Sequence, residues 1–278
     1  MRITICGVRG SVPVTGPDFA GVGGDTSCVA VARDGEAPTL VLDAGTGVRR
    51  VTGLLGGGAF RGTLVLSHLH WDHVQGLPFF AAADRPDAVV RLLLPEQGTP
   101  AEDLLAQVMS PPFFPIRPGD LRGAWSFEAY GDGPLELEGF AVLARAVPHG
   151  GGRTMGVRVS DAAGTVAYLP DHGPLELGPG EDGLGEIHPA ALELAAGADL
   201  LIHDAQYTAA ELPAHAHFGH AAADYAVRLA ARAGVPRVLL FHHDPCRTDA
   251  QLEAIEAALD VPPGVAVSVA REGATIDL

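Results

Sequence analysis

The sequence predicts a layered α/β protein in which strands alternate with helices. Two features carry this expectation. Short apolar, β-branched runs bounded by glycine or proline recur along the 278 residues, separated by segments with helical spacing. Histidine and aspartate recur where such runs end, and strand ends are where layered α/β folds build their sites. With 47% hydrophobic residues the chain can bury a large core, and one domain over residues 1–278 is expected.

Residues 2–6 and 27–33 read as strands around a long Gly/Pro-rich loop, Gly10 to Gly24, whose length suggests a working role. A third strand, Thr39–Leu42, runs into Asp43-Ala44-Gly45-Thr46-Gly47, where Asp43 and Thr46 can tie down a turn before a helix over Val48–Leu55. The buried strand Gly62–Leu66 then ends in Ser67-His68-Leu69-His70-Trp71-Asp72-His73. Extended backbone would point His68 and His70 to one side, while a turn at Trp71 lets Asp72 and His73 converge from a second direction. Nitrogen and oxygen donors so concentrated suit a borderline-hard cation. After Gly76-Leu77-Pro78-Phe79-Phe80, a strand follows at Val89–Leu94. Pro111-Pro112-Phe113-Phe114-Pro115 can be neither regular helix nor central strand. Core packing is its leading reading, and a wall facing substrate or a second copy is the other.

Strands near 125–129 and 140–147 lead to Pro148-His149-Gly150, and a pair at Gly156–Ser160 and Thr165–Leu169 leads to Asp171-His172-Gly173. Residues 174–187 read as a surface loop, followed by a helix over Pro189–Ala196. The strand Asp199–Ile202 delivers His203 and Asp204, and the stretch Glu211–Gly219 reads as a loop holding His215 and His217. An amphipathic helix is expected from His220 to Ala233. The strand Pro236–Phe241 ends at His242-His243-Asp244, a helix follows over Asp249–Leu259, and strands near Val265–Val269 and Thr275–Ile276 close the sheet.

Composition excludes several classes of function. The formal charge is −16, lysine is absent and all 18 basic residues are scattered arginines, which disfavours nucleic-acid polymers and anionic membranes. Three cysteines, Cys6, Cys28 and Cys246, do not make a disulfide framework. The early glycine at Gly7 leaves no room for a secretory apolar segment, and no run is long enough to span a bilayer. A soluble cytoplasmic protein is the expectation.

The stretch Ser67–His73 resembles the signature motif of the metallo-β-lactamase superfamily. Gly7-Val8-Arg9-Gly10-Ser11-Val12-Pro13, Gly23-Gly24-Asp25-Thr26-Ser27-Cys28 and Leu77-Pro78-Phe79-Phe80 resemble its phosphodiesterase branch, which includes ribonuclease Z and phosphoribosyl cyclic phosphodiesterases. The resemblance implies an αββα sandwich of two mixed sheets flanked by helices, with the Asp43 turn supporting the site from below. It also implies a first metal on His68, His70 and His149, a second on Asp72, His73 and His242, and Asp171 between them. The resemblance prefers His242 to His243, because His242 directly follows the strand as the branch's ligand does, and adjacent residues of a regular strand point to opposite faces, so both are not expected on one metal. Zinc suits these donors, with manganese and iron as alternatives.

The same resemblance marks Asp72 as catalytic and pairs His220 with Asp204 as an acid for the leaving group. The implied activity is hydrolysis of a small cyclic phosphodiester, a cyclic nucleotide or a phosphoribosyl cyclic phosphate, by a homodimeric enzyme. An RNA endonuclease like ribonuclease Z, an ester or lactone hydrolase, and a metal-binding scaffold are the alternatives. His172 is open between supporting a ligand and facing substrate, and Arg9 and Arg153 between gripping an anion and serving structure.

Overall fold

A computed structural model describes residues Met1–Leu278. The first half runs β1 (Arg2–Gly7), β2 (Cys28–Ala32), β3 (Leu40–Leu42), α1 (Val48–Leu54), β4 (Arg61–Val65), α2 (Trp71–Val74), β5 (Val89–Pro95), α3 (Ala101–Ala106) and β6 (Ala124–Tyr130). The second half runs β7 (Gly133–Leu137), β8 (Phe140–Val147), β9 (Thr154–Ser160), β10 (Thr165–Leu169), α4 (Pro189–Ala195), β11 (Leu200–Asp204), α5 (Leu212–His215), α6 (Ala223–Ala233), β12 (Arg237–Phe241), α7 (Asp249–Ala258), β13 (Ala266–Val269) and β14 (Thr275–Asp277). Two seven-stranded mixed sheets result, ordered β14-β1-β2-β3-β4-β5-β6 and β13-β12-β11-β10-β9-β8-β7.

Alternation along the strands explains how the layers stack. Ile3, Ile5, Val29, Val31, Leu40 and Leu42 pack with Val157, Val166, Tyr168 and Ile202 in one core between the sheets. The intervening Cys6, Cys28, Ala30, Val41 and Leu64 pack with Val48, Val51 and Leu105 in a second core beneath α1 and α3. Strands covered on both faces must be apolar throughout, which is why they read as continuous runs. The αββα sandwich is therefore present. No helix is long and apolar enough to cross a membrane.

Topology collects the site. Strands β10, β11 and β12 are parallel neighbours, with Leu169 beside His203 and Asp204 beside Phe241. Their C-terminal ends therefore deliver Asp171, Asp204 and His242 to one edge. Strand β8 is antiparallel to β9, which is antiparallel to β10, so β8 ends at the same edge and brings His149.

Several expectations need correction. Helix α6 begins at Ala223 rather than His220. Gly219 takes a left-handed turn (φ 74°), and the following extended peptide pairs with Tyr207, whose N–H donates to Ala221 O and whose carbonyl accepts from Ala223 N. Backbone groups engaged in that bridge cannot begin a helix. The stretch Glu211–Gly219 is not all loop, because it contains α5 and a following 3₁₀ turn. The two terminal strands close different sheets, β13 beside β12 and β14 beside β1. Pro111–Pro115 is not core: Phe113 is 81% exposed.

Candidate metal centre

The edge gathers all seven expected donors. His68, His70, His149 and Asp171 form one group of potential metal-ligating atoms, and Asp72, His73 and His242 form another. Asp171 lies between them: its Oδ2 is 3.4 Å from His68 Nε2 and 3.3 Å from His149 Nε2, and its Oδ1 is 3.2 Å from both His73 Nε2 and His242 Nε2. Asp72 Oδ2 is 3.1 Å from His242 Nε2 and accepts a hydrogen bond from Ser11 N at 2.7 Å. All seven donor residues except His70 are buried.

Outer hydrogen bonds fix which ring nitrogens face inward. His73 Nδ1 donates to Asp43 Oδ2 at 2.8 Å, His149 Nδ1 to Gly219 O at 2.7 Å and His242 Nδ1 to Gln206 Oε1 at 3.1 Å. In its neutral form each ring turns an unprotonated Nε2 toward the centre. Ring nitrogens crowd one another, with His73 Nε2 3.4 Å from His242 Nε2 and His149 Nε2 3.2 Å from His70 Nδ1. His68 Nε2 and Asp171 Oδ1 are buried without a hydrogen-bond donor. So many acceptors with so few protons call for cations, and the donor set fits two divalent ions.

Asp43 sits beneath this centre with φ 60°. Its carboxylate accepts from Ser67 N (2.6 Å), Ser67 Oγ (2.8 Å), His73 Nδ1 (2.8 Å) and Tyr168 OH (2.8 Å). His242 is also left-handed (φ 57°), which turns its ring inward beside Gly10. A Cβ on Gly10 would lie 2.5 Å from that ring, so only glycine fits there. His243 instead points to Ala270 O at 3.1 Å, and burial pushes its imidazole down to about 3.

Without cations the centre is an electrostatic mixture. Burial pushes His68 well below the ordinary imidazole range. Burial also opposes charge on His73 and His242, yet Asp171 and Asp72 hold both rings above it. Burial opposes ionisation of Asp171, but His242 and His73 hold it well below the carboxylate range.

Asp204 and His220 also meet at this edge. His220 Nδ1 donates to Asp204 Oδ2 at 2.8 Å. The other lone pairs of that carboxylate accept from His172 N and Gln206 N, both at 3.1 Å. The His220 ring lies 4.9 Å from the His149 and His242 rings, and one of its nitrogens is within 4.8 Å of donor atoms of Asp171 and His242.

Other candidates take structural places. His172 is fully buried and bonded to His203 at 3.0 Å, which excludes the substrate-facing reading. Arg9 is buried, donating to Gly23 O and Arg247 O at 2.7 Å, so it ties loops together. Arg153 pairs with Asp132 at 2.5 Å and Glu96 at 3.5 Å. Sequence reasoning missed Gln206 and Ser11 as supports of His242 and Asp72. A polar residue two positions past Asp204 was the available signal for Gln206.

Residues 40–243 match the family model of the beta-lactamase superfamily domain. The ribonuclease Z of Haloferax volcanii is 28% identical over the whole of this chain and 95% of its own length. The metallo-beta-lactamase fold protein YhfI from Bacillus subtilis shares the architecture at TM-score 0.70 and 17% identity, covering 99% of each chain. A diphosphatase from the PhnP family does so at TM-score 0.68 and 20% identity, covering 100% of this chain and 97% of its own.

Proposed function

This chain belongs to the beta-lactamase superfamily, and from that premise we propose that it is a phosphodiesterase acting on a small cyclic phosphodiester. Family membership and the paired clusters make it a metal-dependent hydrolase. The observation that carries the finer reading is the His220–Asp204 pair, bonded at 2.8 Å and set against the same centre that Asp171 spans. A thioester expels a thiolate that departs without a proton, whereas an alkoxide must be protonated as it leaves.

In this reading His68, His70 and His149 hold one cation and Asp72, His73 and His242 the other, with Asp171 shared. Zinc is the expected ion, with manganese and iron as alternatives. Two such cations would supply water acidified to near-neutral pKa and stabilise charge on the attacking and leaving oxygens. Asp72, oriented by Ser11 N, receives the proton released by the attacking water. His220 in its imidazolium form carries a proton on its second nitrogen, and Asp204 holds the ring so that this proton reaches the leaving oxygen. The buried outer bonds keep these groups fixed before substrate arrives. The proposal includes a cytoplasmic homodimer built from one hydrolase domain.

A ribonuclease Z-like activity is the second reading, supported by the relative of that name in Haloferax volcanii. The −16 charge and absence of lysine weigh against a polymeric substrate. The test is turnover by zinc- or manganese-loaded protein of 2′,3′- and 3′,5′-cyclic nucleotides, ribose cyclic phosphates, a tRNA precursor, and lactone and thioester controls. Turnover of the lactone or thioester without any phosphodiester would overturn the proposal.

A further inference from the structure

Beside the metal centre lies an open apolar cavity of about 900 Å³ that the chemistry above does not use. Of the chain's two tryptophans and ten phenylalanines, Trp71, Phe79, Phe113 and Phe114 line it. Trp71, Phe79 and Phe113 are 72%, 58% and 81% exposed, so aromatic surface is available to a ligand. The cavity adjoins the site along one rim. Gln107 and Val108 border both it and a smaller cavity of about 270 Å³ whose wall includes His68 and His70. Gln75, Thr46 and Arg49 add polar groups to the larger cavity.

We propose that this cavity receives the nucleobase of the substrate, so that the cyclic diester is a nucleotide rather than a sugar phosphate without a base. The inference rests on the phosphodiesterase reading. A base is a flat π-surface with polar edges, and exposed aromatic side chains beside amide and guanidinium groups match both parts. The cavity has the size of a small-molecule site and can hold a purine with its ribose. Position also fits: every residue lining it falls between Pro13 and Phe114, whereas His220, Asp204 and His242 come from the second half. The acid and the aromatic walls therefore approach the centre from different sheets, leaving the acid's side free for the departing oxygen.

The experiment compares adenosine 2′,3′-cyclic phosphate with 1-O-methylribose 2′,3′-cyclic phosphate, which has the same reacting ring and no base. One stacked base is worth about 1–3 kcal/mol, which converts to roughly 5- to 150-fold in kcat/KM, expected mainly through KM. Phe79→Ala combined with Phe113→Ala should bring the ratio most of the way to 1. Val89→Ala, at an exposed apolar position outside the cavity, should leave it unchanged. Adenosine monophosphate should quench Trp71 fluorescence in a Trp125→Phe background. Equal turnover of both substrates would overturn the inference while leaving the phosphodiesterase reading intact, and failure on every diester would sink the underlying reading instead. Absence of base discrimination, together with conversion of a dimer to monomers by Phe113→Asp, would assign the cavity to a second copy of the chain and equally overturn the inference.

Discussion

Replacing Asp43 tests whether the turn beneath the centre governs metal binding. Its carboxylate is fully buried and accepts from Ser67 N, Ser67 Oγ, His73 Nδ1 and Tyr168 OH at 2.6–2.8 Å. In Asp43→Ala the two hydroxyls can rotate toward other acceptors, but Ser67 N–H has none and His73 Nδ1–H keeps only a long contact to Ser67 Oγ at 3.4 Å. Two buried donors left without a good acceptor, at about 1–3 kcal/mol each, with about 1 kcal/mol for a left-handed alanine, give roughly 3–7 kcal/mol of destabilisation. Asp43→Asn isolates the charge, because asparagine tolerates the φ of 60° and keeps one acceptor oxygen. Its fold should survive, while affinity for the cation at the Asp72, His73 and His242 position falls about 10- to 100-fold. Guanidinium melts of chelated protein measure the first quantity, and competition with a chromophoric chelator measures the second. If Asp43→Asn held both equivalents within threefold of the parent, and Asp43→Ala lost less than 1 kcal/mol, the support role would be wrong.

Four further outcomes follow from the same geometry. His220→Ala should keep both metals yet lose about two to four decades of kcat on an alkyl-leaving-group diester, and much less on bis(p-nitrophenyl) phosphate; equal losses would point to phosphate positioning instead. Gln206→Leu removes the acceptor of His242 Nδ1 and should weaken one metal equivalent about tenfold, as chelator competition would show. Cyclic diesters should be cleaved faster than a tRNA precursor at equal enzyme concentration, and comparable rates would reverse the substrate ranking. His243, neutral in the fold and depressed to about 3 by burial, binds a proton only on unfolding as pH falls below about 6.5. It therefore adds stability above that range that is lost toward pH 3, and His243→Asn should flatten the stability slope of chelated protein by up to about 1.4 kcal/mol per pH unit between those values.

The legible parts of this molecule were those set by local chemistry. Strand β4 announces itself by its apolar run, and the spacing from His68 to His73 places donors on two sides of one turn whatever the rest of the chain does. That His242 and His243 would part was legible for the same reason, since adjacent side chains diverge, whereas the preference for His242 came from its place directly after the strand and from the resemblance. What sequence could not show were features decided by distant backbone. The start of α6 at Ala223 depends on Tyr207, sixteen residues earlier, capturing the peptide that would otherwise begin the helix. Periodicity at His220 and Ala221 cannot register that competition, because both are compatible with a helix or a bridge. The shift matters to the chemistry: at the head of a helix His220 would face a positive dipole end, whereas on extended backbone it has Asp204 as its charged partner. Gln206 was hidden for a related reason, since an amide in a loop has no signature until the fold brings His242 to it from another strand. A site assembled from parallel strand ends is thus readable one strand at a time, while the bonds that orient its side chains belong to the pairing of strands.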